Sequence, residues 1–173
     1  GLWGVRGFGQ GDVIITDEVT ITDLSNDLWP FPAGSTLAKA QCLLKELGFI
    51  LPRPRNGVHI ASFSPDAKGY TVDWHAGFFS GTQASSFIAS WNVESFSHCA
   101  GTRLLISTLW HEMKGHNADL ANDGPAFNKK YETPVDNAWT KAAFTRRGGC
   151  CWRDNRQFKN ELQFYCCKCD IPW

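Results

Sequence analysis

Apolar and polar positions along this chain keep two different rhythms. In STLAKAQCLLKELG (35–48), Leu37, Ala40, Leu44 and Leu47 share one face at helical spacing. Ser35 or Thr36 stands where a cap is needed, and Gly48 stands where the helix can end. Leu105, Leu109 and Met113 recur every four residues and mark a buried helical stripe through 103–114. The strand rhythm appears elsewhere. DVIITDEVTIT (12–22) is β-branched, VHIASF (58–63) alternates, and GYTVDWHAGFF (69–79) reads as a further strand. SSFIASWNV (85–93) is compatible with either type and is read as strand. LWPFPAG (28–34), ILPRPRNG (50–57) and NDGP (122–125) break the pattern, and AFNKKYE (126–132) reads as a short helix.

This order of elements predicts a single α+β domain, a small mixed β-sheet packed on helices. An extended segment, 1–34, precedes a core at 35–140, and a basic, cysteine-rich tail, 141–173, belongs to the same domain. The length of 173 residues suits one core, and eight Trp and twelve Phe are enough to fill it. The formal net charge is zero, so bulk charge names no partner. No run of eighteen apolar residues is present, and no membrane span is expected.

The cysteines change the picture more. There are seven, and five of them, Cys150, Cys151, Cys166, Cys167 and Cys169, fall in the last 24 residues. An oxidising compartment would join them as disulfides, whereas a reducing one would use the cluster to hold metal. Cys166 and Cys169 have the CxxC knuckle spacing. The favoured reading is a structural zinc on Cys150, Cys166 and Cys169 with Cys151 or Cys167. The chain is intracellular under that reading and secreted under the disulfide one.

The chemistry concentrates in LWHEMKGH (109–116). In the helical motif HExxH, two histidines four residues apart diverge by about 40° and reach one zinc ion, while the glutamate acts as base. Here His111 and His116 are five apart, which is about 140° on a regular α-helix. One extra residue can be absorbed as a π-bulge, and Gly115 makes that distortion cheaper. If the helix is regular, His116 instead ends it and favours its dipole. The HExxGH form also occurs in zinc peptidases of the dipeptidyl-peptidase III type, which the rest of this chain does not resemble.

STLWHEM (107–113) resembles the active-site helix of SprT-like (Spartan-type) zinc metalloproteases, which read TLxHEMxH, and DGPAF (123–127) resembles their downstream HGPxF. The order of LPRP, VHIASF, Gly69-Tyr70 and IASWN (88–92) before the motif is similar, and YCCKC (165–169) is similar to the zinc ribbon that often follows. The resemblance spans about 35–130 plus the tail and implies zinc-dependent hydrolysis of a polypeptide. His111 and His116 would be ligands and Glu112 the general base. Asp123 stands where the family has its third histidine ligand, so Asp123 becomes the candidate third ligand. A relative on the same fold without metal or catalysis, serving as a binding module, fits as well.

A second resemblance is to T2-type ribonucleases, which carry the same offset in HEWxKHG. There His111, Glu112 and His116, with His59 in VHIASFSPD (58–66), would act as acid and base on a ribose 2′-OH and its leaving oxygen. LWP (28–30), Cys42 and Cys99 lie near that family's landmarks. Gly115, Asn117 and Asp119 depart from its pattern. His75 and His98 read as ordinary polar or core residues. Between 141 and 159, six basic residues alternate with Phe144, Trp152 and Phe158, a pattern that suits either single-stranded nucleic acid or a solvated face.

Overall fold

The computed structural model describes residues 19–65, 76–81, 83–143 and 168–171. The fold within them is α+β, with helices packed against a four-stranded mixed sheet. The strands are β1 (Val19–Asp23), β2 (Val58–Pro65), β3 (Gly77–Ser80) and β4 (Ser85–Ala89), in the order β1-β2-β4-β3. β1 runs antiparallel to β2, β2 parallel to β4, and β4 antiparallel to β3. Register decides which side chains meet the helices. Val58 lies opposite Ser86, and Ser86 opposite Phe79, whereas His59 and Phe78 both lie opposite Phe87. Successive residues of a strand point to opposite faces. Val58, Ser86 and Phe79 therefore turn to the helices, and His59, Phe87 and Phe78 turn away.

Helix α1 (Thr36–Glu46) starts as its sequence requires, with the Ser35 hydroxyl accepting a hydrogen bond from the Ala38 N–H at 3.2 Å. Gly48, at φ +103°, turns the chain out of it. Leu37, Ala40, Leu43 and Leu44 are its buried residues. SSFIASWNV divides where the strand reading ran on. β4 ends at Ala89, and Ser90–Glu94 form a short helix, α2. Tertiary bonding explains the switch, because the buried Asn92 amide donates to the carbonyl of Ala76 and to Thr108 Oγ1. Helix α3 (Cys99–Leu109) continues without interruption as a π-helical segment, Trp110–Ala118. After a turn, α4 (Pro125–Phe127), a second π segment (Asn128–Glu132) and α5 (Thr133–Ala143) follow one another without a break.

The core is built where α1, α3 and α5 meet the sheet. Leu43, Leu44, Val58, Ile88, Leu105, Leu109, Met113 and Val135 lie there, each completely shielded from solvent. The stripe read from Leu105, Leu109 and Met113 thus faces the interior, although it crosses from α-helix into π-helix. No helix among the described residues is long and apolar enough to cross a membrane.

Cys42 on α1 is joined to Cys169 by a disulfide. This corrects the reading of Cys169 as a zinc ligand, since a sulfur in a disulfide has no thiolate to offer a metal. Cys150 and Cys166, with Cys151, Cys167 and the basic stretch from 144 to 159, lie outside the described residues. Lys168 pairs with Glu46 at 3.1 Å and Lys39 with Asp170 at 3.7 Å on either side of the bridge, and Ile171 is buried in the core beside it. A link between residues 127 positions apart restricts the unfolded chain strongly. Reduction, or Cys42→Ser, is expected to cost about 2–4 kcal/mol. Thermal melting with and without a thiol reductant checks this, and an unchanged midpoint would contradict it.

Candidate metal centre

The π segment settles the geometry that the five-residue spacing left open. A π-helix closes each turn with an i→i+5 hydrogen bond, so residues five apart come round to the same side. The Asp119 N–H donates to the Lys114 carbonyl at 3.0 Å in this wide pattern. The exit turn is wide as well. Leu120 sits in the left-handed region at φ +53°, and the Ala121 N–H reaches back to the Gly115 carbonyl at 2.9 Å. As a result His111 and His116 face each other, with their Nε2 atoms 3.0 Å apart.

Asp123 completes the group. Its Oδ1 lies 3.2 Å from His116 Nε2 and 3.5 Å from His111 Nε2. In a tetrahedral shell with bonds of about 2.0–2.1 Å, donor atoms stand about 3.3–3.4 Å apart. The three separations bracket that edge length. These residues form a group that could hold a metal ion among the described residues. The remaining nitrogens of the two rings are held from behind. The His111 Nδ1 lies 2.8 Å from Glu132 Oε2, and the His116 Nδ1 lies 2.8 Å from the Ala121 carbonyl. Both Nε2 atoms are thereby left to point at the common centre.

Glu112 lies beside the group, completely buried, with Oε2 3.9 Å from His111 Nε2. Neither of its carboxylate oxygens has a hydrogen-bond partner among the described residues. Burial pushes its pKa up to about 8, against the pull of His111. For His111, burial works against the imidazolium. The Glu112 charge and hydrogen bonds to Asp123 and Glu132 outweigh it and raise the pKa to about 9. His116 moves the other way, through burial and then the charge of His111, despite Asp123. Burial also opposes the Asp123 carboxylate, but its hydrogen bonds with His111 and His116 keep its pKa below the usual range. A cation held by this group would compete with the proton on His111.

The surrounding sheet and helices keep the π segment wide. Ser86 Oγ donates to the Glu112 carbonyl at 3.2 Å. The buried Asn117 amide donates to Ser86 Oγ at 3.2 Å and to the Ala84 carbonyl at 3.3 Å, and its oxygen accepts from the Arg55 N–H at 2.9 Å. The Arg55 guanidinium also caps the carbonyls of Asn117 and Ala118. Gly77 on β3 leaves the room that Glu112 occupies. A Cβ there would stand 2.7 Å from Thr108 Cγ2 and 3.2 Å from Glu112 Oε2.

Phe127 closes the far side. Its ring centroid is 4.5 Å from that of His111 and 4.6 Å from that of His116. It comes this near because Gly115 has no side chain, since a Cβ there would run into the Phe127 ring. Beyond the easing of the helix distortion expected of it, Gly115 thus has a packing role.

The other residues singled out in the sequence fall elsewhere. His59 lies on the opposite face of the sheet, its Nδ1 3.1 Å from Asp23 Oδ2 and 3.0 Å from the Ser25 carbonyl, its ring stacked on Phe87. The structure does not bring it to His111 or His116. His98 is exposed at the start of α3, and His75 lies outside the described residues. Sequence reasoning missed Glu132, Gly77 and the Ala121 carbonyl. Glu132 closed a segment read only as a short helix, and nothing in its neighbours marked it. No protein-family model matches the chain, and neither a curated protein nor a solved structure matches it.

Gly115→Ala separates the packing role from helix propensity. Propensity alone would make the alanine more stable by about 0.5–1 kcal/mol. Crowding against Phe127 is expected instead to destabilise the fold by about 1–3 kcal/mol and to weaken metal binding. Denaturant unfolding and a metal titration check it, and a stabilised variant would contradict the packing.

Proposed function

We propose that this protein is a zinc-dependent peptide hydrolase, with His111, His116 and Asp123 as the ligands and Glu112 as the general base. The observation that carries the reading is the convergence of three donor atoms at tetrahedral edge distances beside a buried carboxylate with no hydrogen-bond partner among the described residues. A buried carboxylate without a hydrogen bond is costly, and such a cost is commonly found at functional sites. Two imidazoles and one carboxylate, with a fourth position left for substrate or water, form the donor set of a catalytic zinc site. The resemblance of STLWHEM and DGPAF to SprT-like metalloproteases points the same way, with Asp123 in place of the family's third histidine.

A bound zinc ion would supply Lewis-acid polarisation of a water molecule and of a peptide carbonyl. The chain's own residues do the rest. Glu112 accepts the proton of the attacking water as oxygen adds to the carbonyl carbon. It then returns that proton to the amide nitrogen as the C–N bond breaks. A dication beside Glu112 would favour its carboxylate form, the form that takes a proton from water. Gly77 on β3 leaves the space in which the carboxyl group sits.

Glu112→Gln tests this directly, because the residue is base and not ligand. Hydrolysis of an unfolded polypeptide is expected to fall by about 10²–10⁴-fold while zinc content stays at the parent level. Zinc analysis beside a peptidase assay, with a chelator control on the parent, measures both. Full activity in the variant would contradict the assignment. RNA cleavage by the parent that survives the chelator and needs His59 would favour the ribonuclease reading instead.

A further inference from the structure

We infer that Glu132 is the positioning residue of the metal centre, orienting His111 and fixing which of its nitrogens carries the proton. The inference rests on the metal-site reading above and concerns a residue outside the ligand set. Glu132 Oε2 accepts from His111 Nδ1 at 2.8 Å. With the proton fixed on Nδ1, the lone pair of the ring is on Nε2, the atom that faces His116 and Asp123. The imidazole ring stands between the Glu132 carboxylate and those donor atoms, so Glu132 acts on the centre only through His111.

The carboxylate is not explained by surface charge pairing. Lys129 and Lys130 are close in the chain, yet the ion pair that Glu132 makes among the described residues is with His111. Its position is fixed by its neighbours. Phe127 is packed against both imidazoles, and the buried Tyr131 donates to Asp119 Oδ2 at 2.6 Å. This ties the second π segment to the end of the first. Glu132, the last residue of that second segment, is thereby delivered to the back of His111. The two histidines are held differently, His116 by a neutral backbone carbonyl and His111 by an anionic side chain. Only the second anchor can be altered by substitution without rebuilding the main chain.

The test compares the parent with Glu132→Met, which keeps the length of the side chain and removes the acceptor, and Glu132→Gln, which keeps an acceptor oxygen. Zinc dissociation constants are measured on the full chain by competition with a chromophoric chelator, with circular dichroism to verify the fold. The ring N–H signal of His111 is recorded by nitrogen-resolved NMR in the zinc-loaded forms. Glu132→Met is expected to bind zinc roughly 10–100-fold more weakly. It should also lose the exchange-protected, hydrogen-bonded Nδ1–H signal, while Glu132→Gln recovers much of the affinity. A purely structural role would leave the ring signal unmoved. Parent-like affinity and an unchanged ring signal in Glu132→Met, with the parent binding zinc, would overturn the role of Glu132 and leave the metal site standing. A parent that binds no zinc would overturn both.

Discussion

His111 and His116 are five residues apart, and a helix closed by i→i+4 hydrogen bonds would point them about 140° away from each other. The site exists only because the chain widens its turn between Trp110 and Ala118. π-helical turns are rare, since they give up regular helical geometry, and they persist where surrounding contacts over-determine them. Those contacts are visible here. Ser86 takes up the Glu112 carbonyl, Asn117 bridges the sheet and the Arg55 loop, and Arg55 covers the last carbonyls of the segment. The left-handed turn at Leu120 then brings back the carbonyl that holds His116.

The same widening governs charge. Once the two imidazoles face one another beside Asp123 and Glu112, four ionisable groups share a largely buried space. Their preferences separate accordingly. Burial favours a neutral Glu112, nearby carboxylates favour a charged His111, and His116 is pushed toward neutrality. The nearby carboxylates favour a proton on His111, and a divalent cation held by the group would compete with that proton. The arrangement thus joins a fold-level constraint, one extra residue per turn, to an electrostatic demand at the centre.

Much of this could be read from the chain, and the missing parts have physical reasons. The cap at Ser35, the stop at Gly48 and the stripe Leu105, Leu109, Met113 are local signals, and they stand as read. Asp123 was legible because DGPAF follows the histidines closely, in the order of a known pattern. The switch at Ala89 was not, because all five residues of β4 are buried and leave no alternation, and Asn92 turns helical for bonds to Ala76 and Thr108. Glu132 lies 21 positions from His111, and its place depends on how Phe127 packs against Gly115. The partner of Cys42 was equally hidden. Among seven cysteines, the CxxC spacing of Cys166 and Cys169 drew attention away from a bridge that closes over most of the fold.

X-ray absorption at the zinc edge, on purified protein loaded with one equivalent of zinc, reads the proposed ligand set without depending on any assay of activity. The expected spectrum has a first shell of nitrogen and oxygen at about 2.0–2.1 Å and the outer-shell scattering of two imidazoles, with no sulfur. A sulfur shell at about 2.3 Å, or a first shell without imidazole, would show that the ion sits elsewhere and that the widened turn does not serve to join His111, His116 and Asp123 around it.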